Sequence, residues 1–205
     1  MVHPSIPSGR SLQRSDPGYE STRRAAVWRT NVPDRFPVRI VAATSIDDVV
    51  AAVRGAKAEG RKVSVRSGGH SWSANHVRDD GVLIDVSRLQ SFTVDKAAMT
   101  ATAEPGIGGS VLLAELMKRG LFFPVGHCRG VCIGGYLLQG GFGWNGRLLG
   151  PACASVIGID YVDASVQPAG HAKVDIACAD SSDAGEARRA AGGVTVEAVE
   201  AVPAP

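Results

Sequence analysis

Residues 63–72, VSVRSGGHSW, place a histidine directly after a glycine pair at the end of an alternating run. The alternation predicts a strand, and the two glycines predict a tight turn in which several backbone N–H groups can point at one anion. Pyrophosphate is an anion that such a turn suits. The stretch is neither a Walker A loop nor a G-x-G-x-x-G motif. Taken alone, it is more typical of a tight turn that carries a surface histidine.

Helices and strands alternate around this turn, which is typical of an α/β style of organisation. The segment TSIDDVVAAVRGAKAEG, residues 44–60, predicts a helix that Thr44 or Ser45 caps and Gly60 ends. A second helix is predicted over 108–120, and a short one within 19–28. Further strands are expected at 39–43, 81–87, 91–95, 99–105 and 155–163.

Composition narrows the function classes. The chain has 205 residues, a net charge of +2 and 25 glycines, many of them between 106 and 150. The near-neutral, mixed charge argues against a nucleic-acid partner. The N-terminal segment lacks the apolar core of a secretory signal, and no apolar run reaches the ~20 residues that span a bilayer. A cytoplasmic protein that does not interact with membranes is therefore expected, with four cysteines that form no disulfide framework.

A second glycine-rich stretch, VGHCRGVCIGGYLLQGGFGWNGRLLGP, runs from 125 to 151. Two glycine pairs bracket a short apolar piece, which can lie flat against a large planar ligand. Zinc is an alternative ligand, held by Cys128, Cys132 and His127. However, C-x-x-x-C without a second ligand pair is poor zinc spacing, and the glycines would then have no purpose. The cofactor interpretation is favoured, and no metal site is predicted.

The two stretches together resemble flavoproteins with the vanillyl-alcohol-oxidase type (PCMH-type) FAD-binding domain, and within them the berberine-bridge-enzyme-like oxidases and bacterial sugar oxidases. The resemblance spans about residues 16–163 and rests on two separate motifs in the right order. It implies an α+β fold of two small α/β subdomains around FAD.

The resemblance also implies which residues hold the cofactor. The histidine of GGHS, His70, would bond to the 8α carbon of the flavin, and Cys128, in a G-x-C-x-x-V-x-x-G-G pattern, could add a second link at carbon 6. An imidazole nitrogen and a thiolate are both nucleophiles suited to such bonds. The remaining predicted FAD contacts are Arg66, Ser67, Gly68, Gly69, Ser71, Pro105, Gly106, Gly126, Val131, Gly134, Gly135, Gly140, Gly141 and Trp144.

Other chemistry-bearing residues receive ordinary interpretations. Trp72 and Trp144 are as consistent with core positions as with a cofactor wall. His76 and His127 are interpreted as structural or exposed. Cys132 stands where the family usually has glycine and is not the linking thiol, and it is grouped with Cys153 and Cys178 as small apolar or tail residues. His171 is assigned no role.

Three segments are expected: an N-terminal arm with a short helix over 1–35, a FAD-binding domain over 36–163, and an atypical tail over 164–205. The tail has no aromatic residue and weak periodicity, so disorder is predicted there. Family members are about twice as long. They continue with a TADG turn, an adenine-binding segment and a substrate domain that carries the catalytic base. The abrupt change of composition near 163 therefore predicts a truncated or frameshifted chain.

The resemblance implies an FAD-dependent oxidase. Hydride would pass from an alcohol or sugar carbon to the flavin, and oxygen would accept the electrons in the intact parent. No catalytic residue is assigned. A non-catalytic flavin-binding or partner-binding remnant is the alternative, and turnover would separate the two.

Overall fold

The computed structural model describes residues 11–163 and 168–180. Ten strands follow in chain order: β1 (Ser11–Gln13), β2 (Arg39–Ala42), β3 (Val63–Arg66), β4 (Val82–Asp85), β5 (Phe92–Asp95), β6 (Thr100–Ala103), β7 (Leu121–Phe122), β8 (Val156–Val162), β9 (Pro168–Ala177) and β10 (Ala179–Asp180). The helices are α1 (Tyr19–Ala25), α2 (Ile46–Ala58), α3 (Gly109–Met117), α4 (Ile133–Leu138) and α5 (Gly146–Leu149), and a 3₁₀ helix covers Ala152–Ser155.

The first subdomain is a four-stranded sheet in the order β1-β2-β4-β3. Strands β2, β4 and β3 are parallel, and β1 pairs antiparallel with β2 at the edge. Apolar runs such as VLI in β4 are buried on both faces, as expected for parallel strands between helices. Helix α2 covers one face around Val41 and Ile84, and α1 covers the other around Ile40 and Leu83.

Helix α2 forms where the sequence predicts it. Ser45 accepts a hydrogen bond from the Asp48 backbone, and the Asp48 side chain accepts one from Ser45, which completes a capping box. Val49, Ala52 and Ala56 recur on the buried face. The chain leaves the helix through Gly60, whose φ of +63° favours glycine.

The second subdomain is an antiparallel sheet in the order β5-β6-β9-β8, with β7 and β10 paired beside it. Its core brings Ala101 of β6 and Leu112 and Leu116 of α3 together with Phe123 and Ile133. The prediction of an α+β fold built from two small subdomains is confirmed.

Part of the predicted tail belongs to this sheet. Residues 168–177 pair with both β6 and β8, and Val174, Ile176 and Cys178 are buried in the core. The prediction of disorder is wrong for this part, because Val174 and Ile176 alternate with Lys173 and Asp175 and so present one apolar face. Residues 164–167 and 181–205 lie outside the described residues, as do 1–10 of the predicted arm.

One structural observation concerns the expectation that the chain has no membrane-spanning segment. No helix within the described ranges is long and apolar enough to cross a bilayer.

Candidate functional site

Two charged side chains mark the carboxyl ends of β3 and β4. Arg66 and Asp85 are register partners on these parallel strands. Arg66 Nη1 donates to Asp85 Oδ2 at 2.6 Å and to Ser87 Oγ at 3.2 Å. Both side chains of the ion pair are largely buried, with 10% and 16% exposed. Open α/β sheets bind ligands at this end of their strands.

Arg66 also carries an unsatisfied donor. Its Nε is buried and has no hydrogen-bond partner among the described residues. The atom lies 3.1 Å from the point that a Cβ on Gly69 would occupy, so it faces the glycine turn. A buried donor without an acceptor costs about 1–3 kcal/mol. An anionic oxygen brought to this turn would remove that cost.

The two glycines of the turn make room for protein backbone. A Cβ on Gly68 would lie 2.6 Å from the Gly130 carbonyl oxygen, and one on Gly69 would lie 2.2 Å from that of Ala26. Gly69 also has a φ of +71°, which other residues rarely adopt. The sequence predicted glycines that leave space for a ligand, whereas these contacts show that the turn packs between two other segments.

His70 follows the turn with its ring held on two sides. The indole of Trp28 is stacked on it, with centroids 5.4 Å apart and planes 2° apart. At its edge, a Cβ on Gly130 would lie only 2.4 Å from His70 Nε2, so the ring in this position packs against a glycine. Burial, with a smaller effect of the Arg66 charge, lowers the pKa of His70. The imidazole is therefore neutral near pH 7 and keeps a nitrogen lone pair, which a nucleophile needs.

The Pro105–Gly106 loop is fixed between the two subdomains. Gly106 N donates to the Leu89 carbonyl at 2.8 Å, and a Cβ on Gly106 would lie 2.4 Å from the Val86 oxygen. On the other side, Gly134 N donates to the Pro105 carbonyl at 3.1 Å. Through these hydrogen bonds, the loop holds the segment after β4 close to the start of α4.

A cleft of about 710 Å³ opens between the subdomains. This volume lies in the range of small-molecule and cofactor sites. Apolar side chains dominate its walls, and charged side chains from α2 and from β8 to β9 also line it. The lining comprises Val49, Val53, Lys57, Arg61, Val63, Val65, Ser67, Ile84, Val86, Pro105, Gly134, Gly135, Leu137, Leu138, residues 159–163, Lys173 and Val174.

Four predicted cofactor contacts, Ser67, Pro105, Gly134 and Gly135, line this cleft. Ser67 and Gly135 also connect the two motifs, because Gly135 N donates to Ser67 Oγ at 3.3 Å. Ser71 is exposed beyond the turn, with its hydroxyl 3.2 Å from that of Ser73. The structure thus brings together motifs that are about 65 residues apart in the chain.

The segment before α4 folds over the glycine turn. Gly126 packs against Val131, since a Cβ on Gly126 would lie 3.1 Å from Val131 Cγ1. Cys128 is exposed in this loop. Cys132 is half-buried against Gly68, and burial raises the pKa of its thiol. Among the described residues, no three His, Cys, Asp or Glu side chains are grouped as a metal site requires.

The predicted cofactor contacts that follow α4 lie in a second turn that also contains a glycine pair. Gly140 and Gly141 have φ values of +92° and +71°, and Gly141 packs against Ala152. Trp144 is 81% exposed and lies 5.1 Å from the ring of His127. Trp72 is 75% exposed. Neither tryptophan is a core residue, so that alternative is wrong.

The structure also shows how far the other histidines and cysteines are buried. His76 is buried, and its Nε2 lies 2.9 Å from the Ala26 carbonyl oxygen, which supports a structural role. His127 is exposed. Cys178 is buried, and burial raises the pKa of its thiol to about 11. Cys153 is exposed rather than a small core residue.

Sequence reasoning missed two residues at the site. The sequence places Trp28 only in a predicted short helix, whereas the structure brings it against His70. Gly130 was not among the predicted contacts, although it touches the His70 edge and its carbonyl lies against Gly68. Gly130 belongs to neither glycine pair of the second motif, and nothing in the local pattern links Trp28 to a turn about 40 residues away.

Comparison with known proteins gives one family. A model described as "FAD binding domain" matches residues 37–166. The chain is 40% identical over 146 residues to the FAD-linked oxidoreductase nodO of Hypoxylon pulicicidum, a match that covers 71% of this chain and 32% of the relative. It is 30% identical over 173 residues to the berberine bridge enzyme-like Cyn d 4 of Cynodon dactylon, with 78% and 32% covered.

Solved structures show the same fold. The 6-hydroxy-D-nicotine oxidase of Arthrobacter nicotinovorans superposes with a TM-score of 0.74 at 26% identity, covering 86% of this chain and 43% of that one. Berberine bridge enzyme-like 1 of Physcomitrella patens gives a TM-score of 0.75 at 25% identity, with 84% and 42% covered. The chain spans about a third of the length of the curated relatives it matches.

Proposed function

Because the chain belongs to the FAD binding domain family, we propose that it holds FAD between its two subdomains, with His70 as the point of covalent attachment. The observation that carries this proposal is the position of His70. A ring kept neutral by burial lies at the end of a glycine turn, beside a buried arginine donor that lacks an acceptor.

The polar groups of the turn fit the pyrophosphate. Arg66 Nε would gain its missing acceptor from a phosphate oxygen, and the hydroxyls of Ser67 and Ser71 and the backbone N–H groups of Gly68 and Gly69 would add donors. The apolar walls of the cleft, with Pro105 and Gly134, suit the flat part of a dinucleotide.

When bound, FAD supplies an electrophilic 8α carbon for attachment and a ring system that accepts a hydride. The chain's own contribution is to present nucleophiles. His70 offers a neutral nitrogen because burial opposes its protonation. Cys128 is exposed on the loop that covers the turn, and we propose it as the second attachment point.

We propose further that the whole protein is an oxidoreductase that passes hydride from an alcohol or sugar-type substrate to FAD and then electrons to oxygen. The names of the curated relatives, FAD-linked oxidoreductases, support the reaction class. The oxidase named among the solved structures supports oxygen as the acceptor. About two thirds of each relative has no counterpart here, and the substrate pocket would belong to that part.

The test is an FAD titration of the purified chain, followed by removal of free flavin and an absorbance spectrum. One flavin per chain is expected. Bound flavin that bleaches anaerobically with one of a panel of alcohols and sugars, and consumes oxygen in air, would establish the oxidase. A folded chain that never retains flavin would contradict the cofactor proposal.

A binding role without turnover is the second candidate, and exposed apolar side chains favour it. Leu138, Phe142 and Trp144 are 75%, 74% and 81% exposed, which is unusual for large apolar groups so close together in sequence. In this case another polypeptide would cover them, and the bound flavin would not bleach with any substrate until that polypeptide was added.

We also propose a cytoplasmic location. The four cysteines are all free thiols in the structure, which suits a reducing compartment. Alkylation of the protein taken directly from cells, with mass analysis, should find the four thiols either free or, for Cys128, bound to flavin.

A further inference from the structure

Trp28 covers one face of the His70 ring. The two rings are almost parallel, with an interplanar angle of 2° and centroids 5.4 Å apart. Aromatic rings prefer offset-stacked packing at such separations, so the indole favours this orientation of the imidazole.

The backbone attaches Trp28 to the same turn. Trp28 N donates to the Gly69 carbonyl at 3.3 Å, and Gly69 lies so close to Ala26 that no Cβ fits between them. Ala26 O also accepts from the buried His76 ring at 2.9 Å. The end of α1 is therefore fixed to the turn on both sides of residue 27.

The opposite constraint on His70 comes from the second motif. Gly130 lies against the Nε2 edge of the ring, where a Cβ would come within 2.4 Å of this nitrogen and displace the ring. The ring is thus held by Trp28 at its face and by Gly130 at its Nε2 edge. The Gly130 contact is centred on Nε2, so Nδ1 is the nitrogen that faces away from it.

We propose that Trp28 is a positioning residue, which fixes the plane of the His70 imidazole so that its free nitrogen can reach the flavin 8α carbon. This inference rests on the proposed function of His70. In the attachment step a bond forms between the imidazole nitrogen and the 8α carbon, while one C–H bond of that methyl group and the imidazole N–H bond break. The two electrons and two protons released reduce oxygen to hydrogen peroxide.

The rate of attachment tests the inference. The measurement uses the Cys128→Ala variant as background, so that His70 is the only attachment point. Added FAD is followed both as bound flavin, by gel filtration, and as acid-stable flavin over time. Adding Trp28→Ala should leave FAD bound but slow its attachment by about tenfold or more, as misplacement of a reacting group does.

Two further variants make the result specific. Trp28→Phe keeps a flat ring and should restore attachment to within about threefold of the background, since an aromatic face is retained. Trp72→Ala removes an indole that touches Trp28 edge-on at 4.9 Å and is mostly exposed. It should attach flavin at the background rate. Attachment in Trp28→Ala at the background rate would overturn the inference.

A measurement without flavin separates this inference from the proposed function. Protonated imidazole quenches an indole stacked on it, so tryptophan fluorescence should fall as the pH drops through the His70 pKa, which burial holds below its usual value of about 6.5. The apo chain is measured in a Trp144→Phe background, because the Trp144 indole lies 5.1 Å from the His127 ring. The step should vanish in His70→Ala and in Trp28→Ala but persist in Trp72→Ala. If the Trp144→Phe chain shows this step and the wild type binds no FAD, the proposed function fails while the ring contact stands. If the step is absent, the positioning role is wrong, whatever the flavin result.

Discussion

Arg66 and Asp85 lie side by side at the ends of two parallel strands, joined at 2.6 Å from Nη1 to Oδ2. Asp85 also accepts from the Ser87 backbone at 2.9 Å, so the pair fixes the segments that follow both β3 and β4. Gly68 and Gly69 of the turn follow Arg66 by two and three residues, and His70 follows it by four. The geometry of the site therefore depends on a buried ion pair.

Asp85→Asn should destabilise the chain markedly. The variant leaves the Arg66 charge buried without its counter-ion, and breaking such a pair costs about 3 kcal/mol. Urea unfolding followed by circular dichroism measures the loss. The surface carboxylate of Glu115, which is 27% exposed and pairs with Lys118 and Arg119, is the control. Glu115→Gln should leave the midpoint unchanged, and equal midpoints for both variants would contradict the account.

Gly69→Ala tests the packing of the turn. The added Cβ would lie 2.2 Å from the Ala26 oxygen, and the residue would keep a φ of +71°. We expect a loss of about 3 kcal/mol, from strain and overpacking together. Gly60 has a similar φ of +63° and open space around it. Gly60→Ala should therefore lose only about 1 kcal/mol. Equal losses in thermal unfolding would mean that Ala26 does not press on the turn.

Acid should weaken the fold through His76. Burial lowers its pKa, although the hydrogen bond to Ala26 opposes this and the Arg66 charge adds to it. With the folded pKa below the unfolded value, the neutral ring's contribution is present above about pH 6.5 and is lost as the pH falls through the folded pKa.

His76→Gln keeps a donor for the Ala26 carbonyl but cannot titrate. Between about pH 7.5 and pH 5.5, the Tm of the wild type should fall about 3 °C more than that of the variant. His70, whose pKa is also lowered, contributes in the same direction in both proteins. Parallel Tm curves would show that His76 is not buried in its neutral form.

Ile176→Ala tests whether the last described strands complete the second sheet. Ile176 is fully buried between β6 and β8, so its truncation should cost about 3 kcal/mol. Ile157 on β8 is 51% exposed, and Ile157→Ala should change stability by about 0.5 kcal/mol or less. If the two variants unfold at the same urea concentration, β9 does not pack as described.

The predictable parts of this fold are those with local patterns. Helix α2 has its cap, its buried stripe and its stop within 17 residues, and β2 to β6 show apolar alternation or apolar runs. The glycine pairs marked the turns, and a cleft joins four of the predicted contacts. Each of the two motifs is ambiguous alone. Only their occurrence together, in this order, indicates a family.

The other features of the site depend on tertiary contacts, which no short stretch of the sequence reveals. Trp28 reaches His70 only because α1 packs against the first sheet, and Gly130 reaches it only because the second motif folds back. Strand β9 was missed for another reason. Its KVDIA alternation is present, but a composition unlike the family's outweighed a five-residue pattern.

Attachment of FAD to His70 underlies the proposed function. The most direct measurement is the intact mass and the colour of the acid-precipitated protein after incubation with FAD, for the wild type, His70→Ala, Cys128→Ala and the double variant. We expect a yellow pellet and one added FAD in the wild type, with acid-stable flavin lost only when both residues are replaced. Covalent flavin retained in the double variant, or a folded wild type that never acquires flavin, would contradict it.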